Sequence, residues 1–145
     1  MAALARRLAD LARPGDTIAL DGDLGTGKTS FARAFIRARA SASGGAVGEV
    51  PSPTFTLVQH YETDPAPVWH FDLYRIGHPD EVVELGFDEA RADGIVLLEW
   101  SERLGADLPA TRLDIQLDYA ASGKTRVARL SGQRPWADRL QDLRL

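Results

Sequence analysis

The stretch from Gly22 to Thr29 carries the clearest chemical signal in the sequence. It matches the pattern G-x-x-x-x-G-K-[ST], in which glycines let backbone amides wrap around phosphates and the lysine contacts the outer phosphates. The N-terminus of a following helix adds positive potential, and the hydroxyl of Thr29 can ligate magnesium. We therefore predict a site for ATP and Mg²⁺. The predicted ATP-binding residues are Gly22, Asp23, Leu24, Gly25, Thr26, Gly27, Lys28, Thr29 and Ser30.

The preference for ATP over GTP rests on an absent residue type. The chain contains no asparagine, so it lacks the Asn-Lys-x-Asp element with which common GTPases recognise guanine. A glycine-rich turn with an incidental lysine is the alternative interpretation of Gly22–Thr29. The strand and the helix predicted on either side of the stretch disfavour that alternative.

Two acids at strand ends are candidates for the chemistry that follows ATP binding. Glu99 ends the continuous apolar run Ile95–Leu98, where a Walker B acid would stand, and Asp72 lies at the end of another predicted strand. Ligands of open α/β sheets collect at the carboxyl ends of the strands, so both acids can approach the glycine loop. Each can bind magnesium, directly or through water, or orient the attacking water. The sequence leaves these roles undivided, and exposed strand-end acids are the alternative.

Three further features carry weaker signals. The loop Pro51–Phe55 is stiffened by prolines and can offer a hydroxyl to the γ-phosphate or the metal, although a plain connector has the same pattern. Arg75 is a candidate internal arginine finger that stabilises transition-state charge, with a surface ion pair as the alternative. The three histidines have no metal-ligand spacing and are assigned no function; they are His60, His70 and His78.

Alternating strand and helix patterns surround these residues and predict an α/β fold. We expect a three-layer P-loop NTPase-like arrangement with a mixed, mostly parallel central sheet and flanking helices. The predicted strands are Thr17–Leu20, Thr56–Tyr61, Val68–Leu73, Ile95–Leu98, Thr111–Tyr119 and Thr125–Leu130, with hairpins between the second and third and between the last two. The predicted helices hold Leu4 to Leu11, Lys28–Ala40, Pro79–Leu85, Phe87–Ala92 and the segment from Pro135, and Ser41–Gly48 is a predicted loop.

Composition limits what kind of protein this is. A chain of 145 residues with 44% hydrophobic and 26% charged residues fits one domain, here residues 1–145. A net charge of −4 disfavours direct binding to nucleic acid. The absence of cysteine excludes thiol catalysis and thiolate metal sites. The sequence shows no signal peptide and no transmembrane stretch, so we expect a cytoplasmic protein that does not bind membranes.

Five motifs together resemble the bacterial TsaE family in order and spacing. They are G-D-L-G-T-G-K-T-S-F at 22–31, P-S-P-T-F at 51–55, H-F-D-L-Y-R at 70–75, E-L-G-F-D-E at 84–89 and L-L-E-W at 97–100. The second and third are far more specific than the glycine loop. The resemblance extends from about Gly15 to the second hairpin, and it predicts a few residues ahead of the first helix.

The resemblance implies an ATPase needed for the threonylcarbamoyl modification of tRNA. Proteins of this kind bind the TsaB–TsaD heterodimer, and their ATP hydrolysis resets that complex between turnovers, so tRNA is reached only through the partners. The resemblance also implies that Thr54 is a switch-like catalytic residue and that Asp72, Glu99 and Trp100 are functional positions.

Two other functions share the glycine loop. A small-molecule or nucleotide kinase would need an acceptor pocket and an arginine-bearing lid, for which Glu84–Asp93 is the arguable segment. A nucleotide-dependent binding module would hold ATP without hydrolysing it. Phosphate release stimulated by partners separates the ATPase from the binding module.

Overall fold

The computed structural model describes residues 1–45 and 48–143 of the chain. The strands of this part are β1 (Thr17–Asp21), β2 (Val58–Tyr61), β3 (Val68–Asp72), β4 (Ile95–Glu99), β5 (Leu113–Tyr119) and β6 (Arg126–Gly132). They form a six-stranded sheet in the order β2-β3-β4-β1-β5-β6. The four inner strands are mutually parallel, and each edge strand runs antiparallel to its neighbour. The predicted mixed, mostly parallel sheet with its two hairpins is therefore confirmed.

The helices agree with the predicted ones in order and differ at some ends. They are α1 (Ala2–Leu11), α2 (Lys28–Ala42), α3 (Glu81–Glu84), α4 (Phe87–Asp93) and α5 (Trp136–Gln141). The loop predicted from Ser41 starts two residues later, because α2 continues until the amide and hydroxyl of Ser43 both donate to the Arg39 carbonyl. Ala46 and Val47 of that predicted loop lie outside the described residues.

A short 3₁₀ helix over Ser101–Asp107 was not predicted from the sequence. Its backbone is interrupted at Gly105, and the buried residues along it are Ser101 and Leu104. Such a short segment with a single buried apolar side chain has no helical hydrophobic period to detect. The segment matters because it follows β4 directly and so lies next to the glycine loop.

Helices cover both faces of the sheet. Alternate residues of β4 enter different cores: Leu97 packs in a cluster with α1, α2 and α5, and Leu98 packs in a cluster with α3, α4 and the 3₁₀ helix. Phe31 and Phe35 of α2, four residues apart on one helix face, are both buried in the first cluster. The predicted three layers are confirmed, with helices packed against the inner strands on both faces.

The register brings the predicted site residues to one edge of the sheet. Leu20, next to the glycine loop, lies opposite Glu99 of β4, and Glu99 lies opposite Asp72 of β3. The loop and both acids therefore lie at the carboxyl ends of neighbouring parallel strands. Among the described residues, no helix combines the length and the apolar character that crossing a bilayer requires.

Candidate functional site

The glycine loop links the end of β1 to the start of α2. Gly27, the residue before the helix, has a φ of 105°, a left-handed conformation that side chains disfavour. A β-carbon there would also lie 2.6 Å from Nη1 of Arg126, and one at Gly22 would collide with the carbonyl oxygen of Leu117. Gly22 therefore requires glycine for space, because the atom in the way belongs to the backbone, whereas Gly27 requires it for its left-handed conformation, because the Arg126 side chain can move aside.

Lys28 is the first residue of α2, and its side chain folds back across the loop. Its Nζ donates a hydrogen bond to the carbonyl of Gly22 and lies 3.6 Å from the centre of the Trp100 ring. Burial lowers the pKa of Lys28, while the nearby carboxylate of Glu99 acts in the opposite direction with a smaller effect. The amine is therefore held at the loop by a carbonyl and an aromatic face, neither of which carries a full negative charge.

Glu99 is a buried carboxylate at the end of β4, with 2% of its surface exposed. Its Oε1 accepts a hydrogen bond of 2.9 Å from the hydroxyl of Thr29, the residue after Lys28. Its Oε2 lies 2.6 Å from Nε2 of His70 on β3. Nε2 of the histidine donates this hydrogen bond when the carboxylate is ionised. Glu99 is thereby fixed between two neighbours and faces the start of α2.

Asp72 holds the segment that contains Thr54. Its Oδ2 lies 3.3 Å from the Thr54 hydroxyl, and its Oδ1 accepts a 3.0 Å hydrogen bond from the amide of Tyr74. The Thr54 hydroxyl also lies 2.7 Å from that of Ser52. The 51–55 segment, which the sequence left open as a connector, is thus placed beside one of the two acids. Its Phe55 side chain is 80% exposed.

Several predicted site residues converge on one cavity of about 250 Å³. It is lined by Leu24, Gly25, Gly27, Lys28, Thr29, Ser30, Thr54, Asp72, Glu99, Trp100 and Arg126. Trp100 has a φ of 59°, and this left-handed backbone accompanies the placing of its ring over Lys28. The glycine loop and both acids therefore line the same cavity from different sides.

Other predicted residues do not line this cavity. Thr26 is buried, with its hydroxyl bonded to the Asp23 carbonyl at 2.8 Å, so it stabilises the turn. Gly22 and Asp23 border a separate groove. The guanidinium of Arg75 stacks on Phe55, 4.6 Å from the ring centre. The roles predicted for these residues stay predictions.

Two residues lining or supporting the site were missed in the sequence. His70 was assigned no function from the sequence, although it is fully buried and hydrogen bonded to Glu99. The two-residue period of the strand was the signal that could have found it. Arg126 comes from the second hairpin, and no motif marks it.

The donors around Glu99 fit magnesium. Mg²⁺ prefers oxygen ligands and usually combines one or two protein groups with waters and substrate phosphates. The Thr29 hydroxyl and the Glu99 carboxylate provide such oxygens side by side. Within the described residues, no three His, Asp or Glu side chains converge as a metal site. The set suits an ion that is shared with a phosphate ligand.

Comparison with known proteins identifies the family. The family model described as "Threonylcarbamoyl adenosine biosynthesis protein TsaE" matches residues 1–128. The chain belongs to the TsaE family. Over 121 residues it is 39% identical to the tRNA threonylcarbamoyladenosine biosynthesis protein TsaE of Rickettsia felis, covering 83% of this chain and 68% of that one. It is 36% identical to the Bacillus subtilis TsaE over 126 residues, which are 86% of this chain and 75% of the relative.

A solved structure extends the likeness to the fold. The crystal structure of Bacillus subtilis YdiB superposes with a TM-score of 0.75 at 29% sequence identity. The match covers 97% of this chain and 84% of that one. As a TsaE-family member, the chain has its role in the biosynthesis of threonylcarbamoyladenosine in tRNA.

Proposed function

We propose that this chain is a magnesium-dependent ATPase that supports threonylcarbamoyladenosine formation by binding and resetting the TsaB–TsaD complex. One observation carries the ATPase proposal: Lys28, Thr29 and Glu99 face the same cavity, with the Thr29 hydroxyl 2.9 Å from Glu99. A phosphate-binding loop and a buried acid are thus joined by a hydrogen bond at the place where a metal-bound phosphate would lie.

Each residue has a separate task in this proposal. The loop amides and Lys28 bind the phosphates, because within the described residues the amine is held by a carbonyl and an aromatic ring. Thr29 and Glu99 hold magnesium, which when bound would neutralise charge on the terminal phosphate. Asp72 and Thr54 lie beside each other on the same side of the cavity and are placed to orient the attacking water.

The position of α4 favours hydrolysis over phosphoryl transfer to a small molecule. The arguable lid segment, 84–93, packs against the sheet through Phe87 and Ala90, which are both buried in the second core. Of the described residues, none from that segment lines the ATP cavity. A kinase of this size would need a lid that reaches the transferred phosphate. Segment 84–93 does not reach the cavity, so it does not provide that lid.

Two exposed apolar side chains next to the cavity are candidate contact points for a partner protein. Leu24 on the glycine loop is 71% exposed and Phe55 beside Thr54 is 80% exposed. Singly exposed apolar side chains are common on proteins, so these two are offered as contact points for a partner that the family resemblance implies. We propose TsaB–TsaD as that partner, with tRNA reached only through it, in the cytoplasm. The net charge of −4 agrees with a protein that does not bind tRNA itself.

Phosphate release tests the proposed function. It should be measured at saturating ATP and Mg²⁺ for the chain alone, for the chain with TsaB–TsaD, and for Thr54→Ala with the same partners. We expect slow release alone, strong stimulation by TsaB–TsaD, and a Thr54 variant that loses more of the stimulation than of the basal rate. Thr56→Ala is the matched control, because it removes a hydroxyl two residues further along whose hydrogen bond is with Gln59 and which lies outside the cavity lining.

Two outcomes would contradict the proposal. Tight ATP binding without phosphate release under any condition would favour the binding module. Equal release in all three reactions would remove both the partner coupling and the switch role of Thr54.

A further inference from the structure

Arg126 brings a positive charge to the glycine loop from the opposite side to the acids. It is the first residue of β6 and pairs in register with Tyr119, the last residue of β5. Its Nη1 lies 2.6 Å from the point where a β-carbon on Gly27 would be, and its side chain lines the ATP cavity. The Tyr119 hydroxyl donates a 2.6 Å hydrogen bond to the carbonyl of Gly25. The hairpin is thereby hydrogen bonded to the loop at Gly25 and lies close to it at Gly27.

The charge on Arg126 is uncompensated where it lies. No carboxylate in residues 1–45 or 48–143 forms an ion pair with it, and its aromatic contact is with the Tyr119 ring at 5.7 Å. Three residues further along the strand, Arg129 has a partner, since its Nη1 lies 2.7 Å from Asp118. Arg126 instead lies beside Gly27, at the positive end of the 15-residue helix α2. A cation at that end is unfavourable until an anion joins it.

The sheet order shows which part of the anion Arg126 can meet. β1 lies between β4 and β5, so the acids reach the cavity from the β4 side and Arg126 reaches it from the β5 side. The phosphate that is cleaved must lie at Glu99 and Asp72. A group on the other side of the loop therefore meets the phosphates closer to the nucleoside.

We propose that Arg126 is a nucleotide-binding residue that contacts the inner, α and β, phosphates. This inference rests on the proposed function, because it assumes that ATP occupies the loop. A guanidinium provides a planar fork of donors that fits two phosphate oxygens, which an amine cannot reproduce. Arg126 thus fixes the nucleotide in the loop in both the ATP and the ADP states, and it takes no part in cleaving the terminal phosphate.

Equilibrium titrations with MgATP and with MgADP test this inference. Arg126→Ala should raise the dissociation constants of both nucleotides by the same factor, roughly tenfold, as the loss of one charge-assisted contact near solvent implies. The dissociation constants of Arg126→Lys should lie between those of wild type and Arg126→Ala. Arg129→Ala is the matched control, because it removes the same charge from the same strand but outside the cavity, and its affinities should not change.

Other results would overturn the inference. A loss confined to MgATP would place Arg126 at the terminal phosphate, and equal losses in the Arg126 and Arg129 variants would reduce its role to the general field of the hairpin. Lys28→Ala in the same titration separates the two proposals. If Lys28→Ala weakens the binding of both nucleotides and Arg126→Ala does not, the Arg126 inference fails while the proposed function stands. If the wild-type protein binds neither nucleotide, the proposed function fails and takes this inference with it.

Discussion

The two sides of the glycine loop are built in opposite ways. On the β4 side, Glu99, His70 and Asp72 are all at most 5% exposed and are hydrogen bonded to other groups of the site. On the β5 side, Arg126 and Tyr119 lie on an exposed hairpin, and the guanidinium has no ionic partner among the described residues. The carboxylates of the β4 side have hydrogen-bond partners without a nucleotide, whereas the β5 side has a charge that is compensated only when an anion binds.

This contrast indicates which step each side controls. Groups that are fixed before the nucleotide arrives cost little reorganisation during the reaction, so they suit the stabilisation of a transition state. A cation near solvent gains its partner when the phosphates bind, so it contributes to affinity. Substitutions on the β4 side should therefore lower the rate of hydrolysis, and substitutions on the β5 side should raise the dissociation constants.

Glu99→Gln should have the largest effect on the rate of hydrolysis, and it tests the role of the β4 side most strongly. The amide keeps the size of the side chain but removes its charge, and loss of one placed electrostatic group typically lowers a rate by ~10² to 10³. Single-turnover phosphate release should fall by that factor while ATP affinity stays within a few-fold of wild type. A variant that hydrolyses normally would make Glu99 a structural acid.

Lys28→Ala should produce the largest loss of affinity, because Lys28 lies between the two sides. Removing a charged donor to the outer phosphates should weaken ATP binding by about 10- to 100-fold. Calorimetric titration measures the change. Lys124→Ala, which removes the chain's only other lysine from an exposed turn, should leave the affinity unaltered. Equal affinities in the two variants would exclude phosphate binding by the loop lysine.

His70→Leu should reduce hydrolysis by roughly tenfold, since it removes the hydrogen bond that holds one oxygen of Glu99. His70→Gln keeps an N–H donor at similar reach and should recover much of the rate. The maximal rate is compared at saturating ATP after each variant's folded fraction has been measured by thermal unfolding. If leucine and glutamine reduce the rate equally in fully folded protein, the histidine does not act through its hydrogen bond to Glu99.

Tyr119→Phe should have the smallest effect and sharpen the comparison on the exposed side. It removes one neutral hydrogen bond to the Gly25 carbonyl and should weaken the binding of ATP and ADP by about two- to fivefold. The maximal rate of hydrolysis should not change. A fall in the maximal rate with unchanged affinity would mean that the hairpin serves the chemistry and not the binding.

The parts of the molecule that the sequence predicts are those whose signals are local. The strand, glycine loop and helix around Lys28 are contiguous, and the run Ile95–Leu98 is apolar throughout because β4 is buried on both faces. Alternation along the two hairpins predicted their pairing. The order of the strands has no local signal, since it depends on which neighbours each strand contacts after folding.

The missed site residues depend on that order. Arg126 lies about a hundred positions from Gly27 in the sequence and reaches it only because β5 pairs with β1 and β6 pairs with β5. His70 meets Glu99 because β3 pairs with β4 in a register that places both side chains on one face. The arginine-finger role predicted for Arg75 stays a prediction, and its guanidinium stacks on Phe55. Long-range strand pairing decides the positions of Arg126 and His70.

One measurement tests the separation of the two sides most directly. Single-turnover hydrolysis of trace ATP, followed at increasing protein concentration, gives a maximal rate and a half-saturating concentration for each variant. For Arg126→Ala we expect a half-saturating concentration raised roughly tenfold with an unchanged maximal rate. For Glu99→Gln we expect the maximal rate to fall while the half-saturating concentration stays close to that of wild type. If both variants change both quantities to the same extent, the two sides of the loop do not have separate functions.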